Sequence, residues 1–155
     1  MKKNFVFALS ALLVLAAMVG CEKRPEGLPE LYPTKITIKT PDGKPITDAF
    51  VSVANLENPI RFNIGGKTNK DGVAEMMVQL PTGKFMGAPE GKLAVAVTKS
   101  IRVVPDGDEN NSFGAQVIDA AYNDANNSPL SIEVKKGNNE ASFECEVNPD
   151  YADKI

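Results

Sequence analysis

Residues 15–21, LAAMVGC, carry the one covalent chemistry that residue type and spacing define in this chain. Small or modest side chains at Met18, Val19 and Gly20 stand just before a cysteine. Upstream lie Lys2 and Lys3, then an apolar run over 5–19 broken only by Ser10. That is the pattern of a lipoprotein signal peptide over 1–20, cut before Cys21, whose thiol takes a diacylglyceryl group. A membrane-spanning helix is the alternative, but it needs roughly 20 apolar residues, and this run stops before the charged EKRPE. One acyl chain binds a membrane only marginally and two or more hold it firmly. A diacylglyceryl cysteine with a further fatty acyl chain, typically palmitate, on its amine is therefore a lasting tether.

The remaining chemistry-bearing residues are carboxylates and amides. The chain has no histidine, which removes the usual general base at neutral pH, the commonest zinc ligand and the Ser-His-Asp and Cys-His arrangements. A carboxylate pair can serve as acid and base, yet no spacing singles one out, and the expectation is a protein that is not an enzyme and needs no cofactor. Asp106, Asp108 and Asn110 alternate as at the start of a calcium loop. An EF-hand needs glycine at its sixth position and glutamate at its twelfth, where this chain has Asn111 and Val117. A solvated acidic loop is the simpler reading, and no metal is expected. Cys145 alternates with Ala141, Phe143 and Val147 in ASFECEV, which places it inward as an inert thiol.

Cleavage at the lipobox leaves fifteen basic against twenty acidic residues, a net charge of −5. Nucleic-acid binding relies on basic patches, so a nucleic-acid partner is not expected. The membrane should be met through the N-terminal lipid, and an unidentified protein or cell-envelope partner through the domain beyond it. Localisation follows: the bacterial cell envelope, lipid-anchored and extracytoplasmic, in the periplasm or on the cell surface.

The elements that position these residues are strands. After a linker over 21–33 punctuated by Pro25, Pro29 and Pro33, extended at about 3.1 Å per residue and so up to roughly 35 Å long, alternation begins in TKITIKT with Ile36 and Ile38. Ala49, Val51 and Val53 follow, then Phe62 and Ile64, with Gly65 and Gly66 weakening any continuation. Ala74, Met76, Val78 and Leu80 align in one strand over 73–80, residues 81–91 read as loop, and Leu93, Val95 and Val97 form the next strand. Phe85 and Met86 either cap an end of the fold or make a contact point. The polar stretch 105–129 is an odd segment with a short strand or helical turn over 113–122. Residues 130–134 and 141–147 read as a hairpin around KKGNNE, and 148–155 as a tail.

About seven short strands with turns between them and no amphipathic helix after the signal peptide predict an all-β sandwich over 34–147. Its core would comprise Ile36, Ile38, Val51, Val53, Phe62, Met76, Val78, Leu93, Val95, Val97, Ile132, Val134 and Phe143. If successive strands alternate direction, the turns at 41–45 and 69–72 and the loop 105–129 share one end. That end collects Asp42, Asp71, Asp106, Asp108, Glu109 and Asn110 as a candidate acidic binding loop cluster, since recognition tends to sit on loops held by a rigid scaffold.

The succession DGKPITDAFVSV, GKTNKDGVAEMMV, GAPEGKLAVAVTK and SPLSIEVKKGNNEASFE resembles small bacterial surface lipoproteins with a carboxypeptidase regulatory-like, transthyretin-like domain. The resemblance covers most of 34–147. It implies a seven-stranded Greek-key sandwich of prealbumin type, generally without catalysis, and it supplies no catalytic residues to carry over. The related hydroxyisourate hydrolases and intradiol dioxygenases depend on histidines that this chain lacks. The insertion DGDENNSFGAQ departs from the family pattern. The second function in view is a carbohydrate- or cell-wall-binding accessory domain, disfavoured by 6% aromatic residues and no tryptophan; the third is a carboxylate-based enzyme.

Overall fold

The structure, a computed structural model, describes residues 24–155. The signal segment 1–20 and Cys21 lie outside the described residues. Alternating apolar side chains build an all-β sandwich, as the sequence predicts. Its larger sheet has six antiparallel strands in the order β12-β9-β3-β4-β6-β7, and its smaller sheet three, β13-β2-β5. In the larger sheet these are β3 (Phe50–Ala54), β4 (Ile64–Lys67), β6 (Met77–Leu80), β7 (Gly83–Met86), β9 (Gly91–Thr98) and β12 (Ser131–Val134). The smaller sheet comprises β2 (Thr34–Lys39), β5 (Val73–Glu75) and β13 (Asn139–Glu144). Two ribbons complete the fold: β1 (Leu31–Tyr32) with β8 (Ala88–Pro89), and β10 (Ser100–Val103) with β11 (Phe113–Gln116).

The core lies between the two sheets. Ile36 and Ile38 of β2 meet Val51 and Val53 of β3, Val78 of β6, and Leu93, Val95 and Val97 of β9, all buried. Phe62 and Phe143, expected at the centre, are only partly buried and pack against its margin. Ile46 and Ile118 fill space that strand periodicity did not assign to them.

Several expectations are corrected by long-range pairing. Gly65 and Gly66 do not end a strand; they are the middle of β4, where the backbones of β3 and β5 approach too closely for side chains. The strand expected over 73–80 breaks at Met76. Its first part pairs with β2 in the small sheet and its second with β4 in the large one, so the chain changes sheets at this buried corner. The loop expected over 81–91 contains β7 and β8. The spacer expected over 21–33 is docked in its second half, with Leu28 buried and Leu31 and Tyr32 paired to Pro89 and Ala88.

The final hairpin does not form. β12 pairs antiparallel with β9, whereas β13 pairs parallel with β2, so residues 135–138 carry the chain from one sheet to the other. The turn is closed by a side chain. Asn139 Oδ1 accepts from the Lys135 amide at 2.9 Å, and Nδ2 donates to the Lys135 and Gly137 carbonyls at 2.8 and 3.0 Å. The odd segment 105–129 carries 3-10 turns over Pro105–Gly107 and Glu109–Asn111 at the tip of the β10–β11 ribbon and another over Ala120–Tyr122. The tail forms 3-10 turns over Pro149–Lys154, begun by Asn148 accepting from the Asp150 amide. Among the described residues no helix is long and apolar enough to cross a membrane.

Candidate functional site

The two turns expected at one end do meet there. The Gly72 carbonyl accepts from the Ile38 amide at 2.8 Å, and Gly72 holds φ at +75° with Pro45 alongside, a backbone state suited to glycine. Asp42 is bound locally: it accepts from the Thr40 hydroxyl and pairs with Lys44 at 3.0 Å. Those two neighbours, Thr40 first, hold its carboxyl below the usual carboxylate range. Asp71 donates its amide to Asn69 Oδ1 at 2.9 Å.

The same end holds cations. Asp48, in left-handed backbone at φ +55°, pairs with Lys67 at 2.9 Å. Lys99 is buried to 8% exposure and donates Nζ to the Thr47 carbonyl at 2.7 Å. Burial pushes the Lys99 amine down from its ordinary value, with the Asp48 charge opposing. The end is thus mixed in charge, because Lys44, Lys67 and Lys99 fold onto it beside the carboxylates.

Asp108, Glu109 and Asn110 sit at the ribbon tip and serve their own turn. Asp108 Oδ1 accepts from the Asn110 amide at 3.0 Å, and its Oδ2 accepts from Asn111 Nδ2 at 2.9 Å. Glu109 opens the exposed 3-10 turn that this cap starts. The side chain of Asp106 lies outside the described residues. Among the described residues no hydrogen bond or ion pair joins this tip to Asp42 or Asp71, and no three His, Cys, Asp or Glu side chains are grouped to hold a metal.

A concavity lies elsewhere among the described residues, on the outward face of the six-stranded sheet. It is a trough of about 550 Å³. Its floor is the outward side of β3, where Ser52 and Ala54 alternate with buried Val51 and Val53. Ile60 and Phe62 from the β3–β4 connection line it together with Asn126 and Phe50. The connection is shaped by Asn55, whose Oδ1 accepts from the amides of Glu57 and Asn58 at 3.1 and 2.8 Å. Asp124 positions Asn126, taking its amide at 3.0 Å and its side-chain nitrogen at 2.8 Å, and these bonds lower the Asp124 carboxyl from its usual range.

Phe50 is the most exposed large apolar side chain of this face, at 53%. Its ring rests on glycine: a Cβ on Gly65 would stand 2.8 Å from Phe50 Cζ. One edge of the ring is therefore seated on backbone while the rest faces solvent. Periodicity had no means of finding this trough, since its floor is small residues and its wall is a loop; the signal in the sequence was the pair of phenylalanines that flank β3 and its following connection, Phe50 and Phe62.

No family model and no curated protein matches the chain. Among solved structures it is similar to a variant of BcpA, the major pilin subunit of Bacillus cereus, with 12% identity and a TM-score of 0.46. The similarity covers 77% of this chain and 31% of the pilin, so the chain spans about a third of that protein's length, and the all-β sandwich stands on the ladders described above.

Proposed function

We propose that this chain is a lipid-anchored, extracytoplasmic binding module of the bacterial cell envelope, and that it acts by holding a partner rather than by catalysis. The observation that carries the binding half is the trough over β3, an apolar recess with amides on its margin, raised on a rigid sheet. The lipobox ending at Cys21 supports the anchoring half, and so does the resemblance to small surface lipoproteins. Of the acidic loop residues, Asp42 is engaged with Thr40 and Lys44 and Asp108 with its own turn, and the sheet face offers a second candidate surface beside that loop end.

A cell-wall glycan is the second reading, and one observation favours it. The Phe50 ring is seated on Gly65 with its remaining surface in solvent, and the Asn126 amide lies along the same trough; an aromatic surface beside amides is what sugar rings stack on and bond to. A photoreactive phenylalanine analogue at position 50, activated in native envelopes, tests the surface. The expected result is a defined adduct that is absent when the analogue stands at the exposed Gln79; equal labelling from both positions would reject the trough. Sedimentation with purified cell-wall glycan, lost in Phe50→Ala, would assign the occupant to sugar.

A further inference from the structure

Among the described residues, no strand occupies the outer edge of the small sheet. β13 directs alternate backbone groups to β2: the Asn139 amide donates to the Pro33 carbonyl and the Cys145 amide to the Lys39 carbonyl, both at 2.8 Å. In the parallel register between them, Asn139, Ala141, Phe143 and Cys145 face β2, so Glu140, Ser142 and Glu144 turn their backbone groups away from the sheet. Among the described residues no strand pairs with that side. Cover begins only at Glu146, whose carbonyl accepts from the Asp119 amide at 3.0 Å. Such a row of free donors and acceptors is a template for one more strand.

The side chains say which strand. On the solvent face Glu140 lies opposite Lys35, Ser142 opposite Thr37 and Glu144 opposite Lys39. Lys35 in turn pairs with Glu75 of β5 at 3.2 Å. Charge thus alternates across the sheet, from Glu75 through Lys35 to Glu140, and both rows stop on an acid at the edge. On the other face Ala141 and Phe143 are half-buried and apolar. A second copy offering its own β13 about Ser142 would set Glu140 against Glu144 twice, and like charges directly opposite are destabilising.

We propose that β13 is a docking edge for an extended segment of a partner protein, added as a fourth strand of the small sheet, with basic residues four apart, a hydroxyl between them and apolar residues at the intervening positions. This deepens the binding-module reading by naming a partner chemistry, at a surface separate from the trough. β2 already shows the complement on the opposite side of β13, as Lys35, Ile36, Thr37, Ile38 and Lys39. The pattern reads the same in both directions, so the chemistry admits either strand polarity.

The test uses the full-length chain in detergent and a fluorescent peptide copying residues 34–40, TKITIKT, against the control TEITIET. Saturable binding of the lysine peptide is expected, with the glutamate peptide at least about tenfold weaker, as two cross-strand attractions become repulsions. Exchanging the charges in the Glu140→Lys, Glu144→Lys double variant should invert that preference. Ser142→Pro should keep the melting temperature, because proline is tolerated where the missing amide faces outward at an edge, and should abolish binding. Equal binding of both peptides, binding of neither, or binding unchanged by Ser142→Pro would overturn the proposal. So would a dimer of the wild type that Ser142→Pro dissolves, since a second copy would then own the edge. The readout needs neither the lipid nor Phe50, so its failure and failure of the anchored-module reading are separate results.

Discussion

The α-carbon of Gly66, in β4, lies directly against the backbone carbonyl of Glu75, in β5, where the large and small sheets come together. A methyl group there has no space, and the obstacle is backbone on the far side. Gly66→Ala should therefore lower stability by about 2–3 kcal/mol, the cost of overpacking a closed contact. Gly114→Ala in β11 is the control: nothing lies within 4 Å of its added carbon, and its effect should stay within about 0.5 kcal/mol. Urea denaturation of both variants measures the difference.

Cys145 is fully buried among the core residues, and burial pushes its thiol up to about 12. Maleimide should label the native protein slowly and the urea-unfolded protein fast. Because the folded value exceeds the ordinary thiol value of 9.0, the contribution is intact below pH 9 and is lost as pH rises toward 12. Cys145→Val should remove that part of the alkaline loss while costing less than about 1.5 kcal/mol. Cys145→Asp should cost several kcal/mol by burying a charge without a partner. Denaturation midpoints of wild type and Cys145→Val between pH 8 and 11 carry the comparison.

The ribbon divides the insertion 106–116 into two parts with different consequences. With Pro105 just before it, its tip runs over 105–112 and, among the described side chains, bonds within itself apart from the Arg102 guanidinium donating to the Ser112 hydroxyl at 3.1 Å. Beyond it, Phe113–Gln116 is laddered to β10 and Ala115 is buried. Replacing 105–112 with a short Gly-Ser turn should leave the melting temperature nearly unchanged. Extending the replacement to 116 should lower it by several degrees. Calorimetry of the two variants decides whether β11 belongs to the cooperative fold.

What was legible in the sequence was the alternation of β2, β3 and β9, because each buries one face and a period of two leaves no other assignment for Ile36, Val51 or Val95. The glycine pair 65–66 signals a weakened strand locally, since local propensity knows nothing of a backbone approaching from β5. A hairpin and a sheet-to-sheet crossover have the same local pattern, so KKGNNE gave no hint that Asn139 would close a turn between sheets. Of the candidate site, Asp42 was legible as a turn carboxylate, while its pairing with Lys44 emerged only with the turn that folds them together. Phe50 and Phe62 belong to one trough through the β3–β4 connection, a relation with no periodic signature.

The proposed anchoring outside the cytoplasm rests on Cys21, and one experiment addresses it most directly: labelling of cells with radioactive palmitate, followed by detergent phase partitioning of the wild type and of Cys21→Ser. The wild type should carry label and enter the detergent phase, held by more than one acyl chain, while Cys21→Ser should be unlabelled and remain in the aqueous phase. A Cys21→Ser protein that is labelled and partitions as the wild type does would contradict the lipid-anchored module.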